Sequence, residues 1–412
     1  MLNKNQEREL AYVVLIDGIE PIPGYDRVEH AIVGGWRVIV QKDQFKVGDP
    51  AIYFEIDSRV PSDRECFAFL EKRHYKIKTL KMCKTLSQGL LMHASDFGWE
   101  IHERGNLDTG DSVVYIFDDE GIEHYANDES RFLTKKLGVT YADDEDNTRK
   151  APSVDKYKKM EMRHQKLFKK PFVRWLMRYK FGREVMFFFF GKKKDKKSGW
   201  PSWVSKTDEE RVQNMPWILA NDEKWIATEK IDGTSTTFTM KRRKFGKKEL
   251  YVCSRNVCFD SIEKPCFYDS NVYWEMAQKY NIFNVLAQML DEHPQEEYIT
   301  IQGETYGAGV QRREYSIPDH DFAAFNLIFS TQGRVGTKQM IGMLTPYGIP
   351  CVPVIEDEMY INQFENVDAI LAYAEGNSQL DGQPREGIVF RTLDGAKSFK
   401  AVSNSFLLKY HG

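Results

Sequence analysis

A chain whose apolar residues come in short runs, four to seven residues long and rich in Val, Ile, Phe and Tyr, has few folds open to it. Here such runs recur at both ends, and Gly, Pro or Asp near their ends favours turns over continued regular structure. Before residue 118 they fall at 12–16, 36–40, 51–56, 77–82, 89–92 and 112–117. After residue 200 they return at 225–228, 235–240, 250–254, 298–302, 322–328, 387–391 and 398–402. Helical patterning predicts a helix start at 207–211, with Thr207 as N-cap and Glu210 at the reciprocal capping position. It also predicts one long helix over 273–290 and a short one over 367–374. Strands punctuated by occasional helices, with no regular strand–helix–strand beat, predict an α+β fold with antiparallel sheets.

Five or so strands in the first hundred residues suit a small OB-like β-barrel over residues 1–117. Residues 118–198 read as a charged insertion or linker, and 199–412 as a second domain. The net charge is only −3, yet residues 151–200 hold 16 Lys and Arg against 4 Asp and Glu, so this stretch carries +12 and the remainder −15. Acidic clusters at 118–120 and 143–146 precede it. Within it, 171–179 is predicted to be a helix and 191–199 a solvated loop. A basic block on a near-neutral chain suits a phosphate backbone. The basic and aromatic segment 169–183 is therefore read as an RNA contact, with a partner protein or a membrane surface as alternatives.

The first residues lack the apolar core of a secretory signal, and the run at 185–190 is far too short to span a membrane. Six cysteines without a CxxC pair read as reduced thiols, and Cys253 and Cys258 have the wrong spacing for zinc. The expectation is an intracellular, cytoplasmic protein with no membrane span and no obligate protein partner.

Residues 228–235 read Thr-Glu-Lys-Ile-Asp-Gly-Thr-Ser. A lysine that attacks phosphorus must be partly deprotonated, so a depressed pKa is expected for Lys230, supplied by burial, a nearby cation or a bound metal. Asp232 and Gly233 offer a carboxylate and a tight turn beside a phosphate. Alone, this pattern also describes an ordinary loop between strands. Downstream, in order, come Ser254-Arg255-Asn256, Gly303-Glu304-Thr305-Tyr306-Gly307, Phe322-Ala323-Ala324-Phe325-Asn326, Glu386-Gly387-Ile388-Val389 and Ser398-Phe399-Lys400-Ala401. With Lys230-Ile231-Asp232-Gly233, the six segments resemble motifs I, Ia, III, IIIa, IV and V of the covalent nucleotidyltransferases, meaning polynucleotide ligases and capping enzymes.

The chain is most similar to RNA ligases of the fifth family, which place an OB-like domain before the nucleotidyltransferase (ligase adenylation) domain. DNA ligases and capping enzymes usually carry it after, and this chain closes soon after motif V. Residues 203–214 also resemble that branch's lead-in to motif I. The resemblance covers both ends of the chain and fails across about 118–198.

The resemblance implies Lys230 as the nucleophile that takes AMP from ATP, and Lys400 as the cation on the α-phosphate. Glu229 is implied as acceptor for the adenine amino group, or else a solvated strand-edge glutamate. Arg255 reads as a fork on ribose or phosphate, or as a surface ion pair. Phe325 reads as the ring stacked on adenine or as core packing, with Phe322 the better core candidate. Lys206 and Arg211 read as grips on pyrophosphate or as helix-surface charges. Asp232, Glu304 and Glu386 are implied to hold Mg²⁺ or Mn²⁺ through water, Glu304 and Glu386 also bordering the nucleotide. One departure is that motif V often has a second lysine where this chain has Val402, with Lys397 or Lys409 as candidates to compensate.

The implied activity is ATP-dependent RNA ligation in RNA repair, in three steps: a lysyl-adenylate forms, AMP passes to a 5′-phosphate, and a 3′-hydroxyl seals the strand. The expected substrate is RNA or a nicked duplex whose 3′-OH strand is RNA. The alternatives are a DNA ligase or guanylyltransferase-like enzyme, and a nucleic-acid-binding protein with a decayed ligase domain.

Overall fold

The computed structural model describes residues 1, 3, 7–105, 112–142, 200–259, 261–264, 266–268, 270–313 and 315–410, with Val173, Met177, Tyr179 and Met186. Apart from those isolated positions, the segments expected as a helix at 171–179, a loop at 191–199 and an RNA contact at 169–183 lie outside the described residues. No helix among the described residues is long and apolar enough to cross a membrane.

The N-terminal domain is built from β1 (Ala11–Leu15), β2 (Gly18–Ile22), β3 (Tyr25–Val33), β4 (Trp36–Gln41), β5 (Pro50–Phe54), β6 (Leu90–Met92), β7 (Glu100–Gly105) and β8 (Ser112–Phe117). β2, β3 and β4 form an antiparallel meander, and β1, β5 and β6 a second sheet with β5 central. In β4 the buried residues alternate, Trp36, Val38 and Val40 facing the core as a half-buried strand requires. Gly34 and Gly35 make the β3–β4 turn with φ of 53° and 82°, where a two-residue hairpin needs left-handed backbone. β2 and β3 escape the sequence reading because Pro21 and the charges at Glu20, Asp26, Arg27 and Glu29 break their apolar pattern.

This domain does not stop at residue 117. Leu133, Leu137 and Val139 share a core with Val13, Ile52 and Phe67, and Thr140–Tyr141 pair with Ser58–Arg59. The acidic 118–120 cluster is a turn: Asp118 accepts from the Glu120 and Ile122 N–H groups and pairs with Lys136 at 2.8 Å. Local charge imitates a linker there, while long-range pairing makes it part of the domain.

The C-terminal domain contains β9 (Lys224–Lys230), β10 (Thr234–Arg242), β11 (Lys248–Cys253), α1 (Val272–Lys279), α2 (Ile282–Glu292), β12 (Tyr298–Tyr306), β13 (Asp321–Phe329), α3 (Thr337–Leu344), β14 (Val354–Tyr360), α4 (Val367–Ala374), β15 (Gly387–Thr392), β16 (Ser398–Val402) and α5 (Asn404–Tyr410). β11, β10, β12 and β13 lie in that order in a six-stranded antiparallel sheet, flanked by Cys258–Phe259 and Gly333–Arg334. α1, α2 and α3 close its core, with Phe238, Ile301, Phe322 and Leu286 fully buried. β14, β9, β15 and β16 form a second sheet, whose core includes Trp225, Phe390, Phe399 and Ile370 of α4. The turn after Lys230 crosses from one sheet to the other, so this short sequence sits where the two sheets meet.

Two helix expectations are corrected. The helix over 273–290 is two helices, broken at Asn281 with φ of 48°, a left-handed conformation that asparagine tolerates and that ends a helix. No helix starts at 207–211. Thr207 Oγ1 instead shares a 2.8 Å hydrogen bond with Ser235 Oγ, the Lys400 N–H donates to the Glu210 carbonyl, and Arg211 bridges to Lys400 in parallel. Pairing with β16 outcompetes the local capping pattern.

The domains are joined by Arg37, whose guanidinium grips Asp368 of α4 at 3.0 and 3.2 Å, and by Lys81, which donates to the Leu408 carbonyl. Leu86 of the first domain packs against Val402 and Leu407.

Candidate active site

Lys230 is the last residue of β9, and its register partner across β15 is Gly387. That pairing brings the preceding residue, Glu386, to the lysine: Nζ lies 2.7 Å from Glu386 Oε2. Glu304 arrives on β12, opposite Ser235, and Lys400 on β16, opposite Val389. Gly387 has φ of 155° and a Cβ there would fall 2.2 Å from the Ala401 carbonyl, so glycine lets β15 and β16 close beside the lysine.

These side chains line one cavity of about 420 Å³. It gathers Lys230, Asp232, Glu229, Arg255, Glu304, Phe325, Glu386 and Lys400. Phe325 is half-buried at its wall, whereas Phe322 is fully buried in the neighbouring core. Two expected residues are elsewhere. Lys206 is exposed and bonds Asn256 Oδ1 at 2.8 Å. Arg211 lines a second cavity of about 840 Å³, beside Arg8, Asp57 and Tyr141 of the N-terminal domain, and its guanidinium lies over Trp36. The two cavities share Asp208, Glu209, Arg255 and Lys400.

The electrostatics correct one expectation. Burial pulls the Lys230 amine down, but Glu386 and Glu304 outweigh it and hold the group above its ordinary value. Burial and the neighbouring Glu386 lift Asp232 to about 7, and burial lifts Glu304 to about 8 despite Lys230. Lys400 moves the other way, pushed down to about 8 by burial and by the cations Arg211 and Lys230. Glu229 is buried; its Oε2 accepts from the Gln379 N–H at 2.8 Å while Oε1 has no protein partner, and burial raises its pKa.

Asp232, Glu304 and Glu386 crowd around Lys230, and the raised pKa of the first two reflects burial and mutual repulsion that a divalent cation would relieve. Asp232 Oδ2 is buried without a protein partner, which also fits an ion or its water. Among the described residues no three His, Cys, Asp or Glu converge closely enough for direct chelation.

Several lining residues carry no recognised motif. Thr207, Asp208 and Glu209 border the cavity, Asp208 holding Arg255 at 2.8 Å and Glu209 holding the buried Arg391 at 2.9 Å. The similarity of 203–214 to a lead-in segment was the available signal, obscured by its helical reading. The second motif V position is resolved sterically, because Val402 is buried against Leu86 and Leu407 at the domain contact. Lys397 pairs with Glu223 at the second cavity, and Lys409 lies over the Tyr410 ring.

Residues 223–411 match the RNA ligase family model, and residues 10–94 match an OB-fold domain model. No curated protein sequence matches the chain. Among solved structures, the Naegleria gruberi RNA ligase with pyrophosphate aligns at 24% identity and a TM-score of 0.64, covering 98% of this chain and 99% of that one. The same coverage, identity and score hold for variants of that ligase solved with ATP and manganese and with AMP and manganese. The shared fold runs through both domains in the same order. Residues 223–411 thus carry a match to the RNA ligase family behind a segment, 10–94, that matches an OB-fold domain, and the chain shares the fold of the Naegleria gruberi ligase through both domains.

Proposed function

We infer that the protein is an ATP-dependent RNA ligase that seals 3′-OH and 5′-phosphate ends through an adenylate on Lys230. The observation that carries this reading is the Lys230–Glu386 contact of 2.7 Å, at the floor of a cavity also lined by Asp232, Glu304 and Lys400. ATP lies with its base toward Phe325 and Glu229, whose free Oε1 suits the adenine amino group. Nζ must shed a proton before attack, and Glu386 Oε2 is the group placed to take it. The amine then bonds to the α-phosphorus, the bond to the β-phosphate oxygen breaks, and pyrophosphate leaves. Lys400 stabilises the charge that builds on the α-phosphoryl oxygens. Mg²⁺ or Mn²⁺ held through water by Asp232, Glu304 and Glu386 would supply positive charge to the phosphates and ease deprotonation of the lysine.

AMP next passes to the 5′-phosphate of a nucleic-acid end, giving a 5′-5′ pyrophosphate linkage. A 3′-hydroxyl attacks that activated phosphate, the phosphodiester forms and AMP departs. The substrate proposed is an RNA or mixed duplex with a nick whose 3′-OH strand is RNA. The test is incubation with α-labelled ATP and Mg²⁺ or Mn²⁺, after pyrophosphate has stripped any bound AMP. Label should be trapped by the wild type and not by Lys230→Ala. An adduct formed with GTP alone, or none with either nucleotide, would sink the proposal.

A further inference from the structure

Two loops meet beside the candidate active-site cavity, and one ion pair ties them together. Arg313 Nη2 lies 2.6 Å from Asp381 Oδ1, with both side chains essentially inaccessible. The guanidinium also stacks on Tyr315, 3.8 Å from the ring centroid. Each loop in turn holds a part of the site. From the first, the Tyr315 hydroxyl accepts the Asp232 N–H at 2.9 Å, and Gln311 Nε2 donates to the Gly233 carbonyl at 2.8 Å. From the second, the Gln379 N–H fixes Glu229 Oε2, leaving Oε1 buried without a protein partner.

Desolvating two charges is costly, and well-packed apolar residues would fill such a site at least as stably. Arg313 Nε and Nη1 and Asp381 Oδ2 are moreover buried without hydrogen-bond partners. The pair is therefore poorly explained as a stabilising contact. Its geometry is better explained by what it joins: the turn after the nucleophile on one side and the Glu229 carboxylate on the other.

Building on the ligase reading above, we propose that the Arg313–Asp381 pair is a latch that sets purine specificity, positioning Glu229 for the adenine amino group without touching nucleotide. A carboxylate oxygen placed for an N–H donor rejects the guanine carbonyl at the same position, but only while it is held in place. Arg313 and Asp381 are thus positioning residues, and Glu229 makes the contact.

The experiment compares wild type with Asp381→Asn, Arg313→Lys and Arg313→Met, reading thermal melting, adduct formation over a range of ATP concentrations, and adduct formation with GTP. Below the melting temperature of each variant, Asp381→Asn should raise KM for ATP about tenfold with a smaller change in kcat. The preference for ATP over GTP should fall by a similar factor, and Arg313→Lys should retain part of it. Variants that melt lower yet keep the wild-type KM and nucleotide preference would overturn the latch and leave a structural ion pair. Should Arg313→Met fail to fold, Asp381→Asn still decides the matter. Wild type that forms no adduct with ATP would overturn the ligase reading itself, and the latch with it.

Discussion

Gly233→Ala should cripple adenylation while leaving the protein folded. Gly233 lies in the turn that carries the chain from β9 to β10, two residues before Ser235 pairs with Glu304. A Cβ built there falls 2.4 Å from the Thr305 carbonyl oxygen and 2.8 Å from Glu304 Cγ. Ordinary contact begins near 3.4 Å, so the turn and β12 must part by about 1 Å. Thr305 is fully buried in the middle of the six-stranded sheet, so the turn is the side that yields. That displacement moves Lys230 and Asp232 relative to Glu304. Overpacking of this kind costs about 1–3 kcal/mol, a drop of several degrees in melting temperature. A misplacement of about 1 Å in a reacting group costs on the order of 100-fold in rate. The assay is single-turnover formation of the labelled adduct, with thermal melting alongside. Gly342→Ala in α3 is the control, because nothing lies within 4 Å of its added Cβ and helix propensity favours alanine. A Gly233→Ala protein that adenylates at the wild-type rate would refute the steric registration of this turn against β12.

The apparent pKa of Lys400, about 8, sets an alkaline limb. Below about pH 8 its amine is charged and can hold phosphate, and above it the charge is lost. kcat/KM for ATP should therefore fall above about pH 8 in wild type and stay flatter in Lys400→Arg, which keeps its charge. For stability the sign is opposite: a lysine whose folded pKa is below its unfolded 10.5 destabilises the fold at lower pH, and that cost fades as pH rises from about 8 toward 10.5. Identical alkaline limbs in the two proteins would discard the assignment. Val402→Lys, which restores the second lysine of the motif, should not help. It buries an amine among Leu86 and Leu407, costing about 2–4 kcal/mol, and should lower the melting temperature with no gain in adduct formation. A faster, equally stable variant would show that this position faces the nucleotide.

The chemistry of the site was legible in the sequence because its residues lie in short motifs, each on or beside a strand. Lys230, Glu304, Glu386 and Lys400 were singled out by the resemblance of their segments to the motifs of the covalent nucleotidyltransferases, and the fold brings all four to one cavity. The strands of the C-terminal domain were equally readable, since buried β-strands carry continuous apolar runs such as β15. The extent of the N-terminal domain was not. Leu133 and Val139 reach its core from beyond an acidic cluster, and no local pattern reports a contact so distant in sequence.

Sequence alone thus marked which groups are candidates for the chemistry and that antiparallel sheets carry them, because motif residues and strand periodicity are local properties. Tertiary structure alone decided how those groups are charged and what supports them. Lys230 is held above its ordinary pKa because Glu386 and Glu304 converge on it, the opposite of what its role suggests in isolation. Residues 207–211 start no helix because β16 offers Glu210 and Arg211 a pairing partner that outcompetes a helix cap. Val402 is a domain contact because Leu86, over three hundred positions earlier, packs against it. Each of these is a sum over neighbours from distant segments, and only the folded chain supplies them.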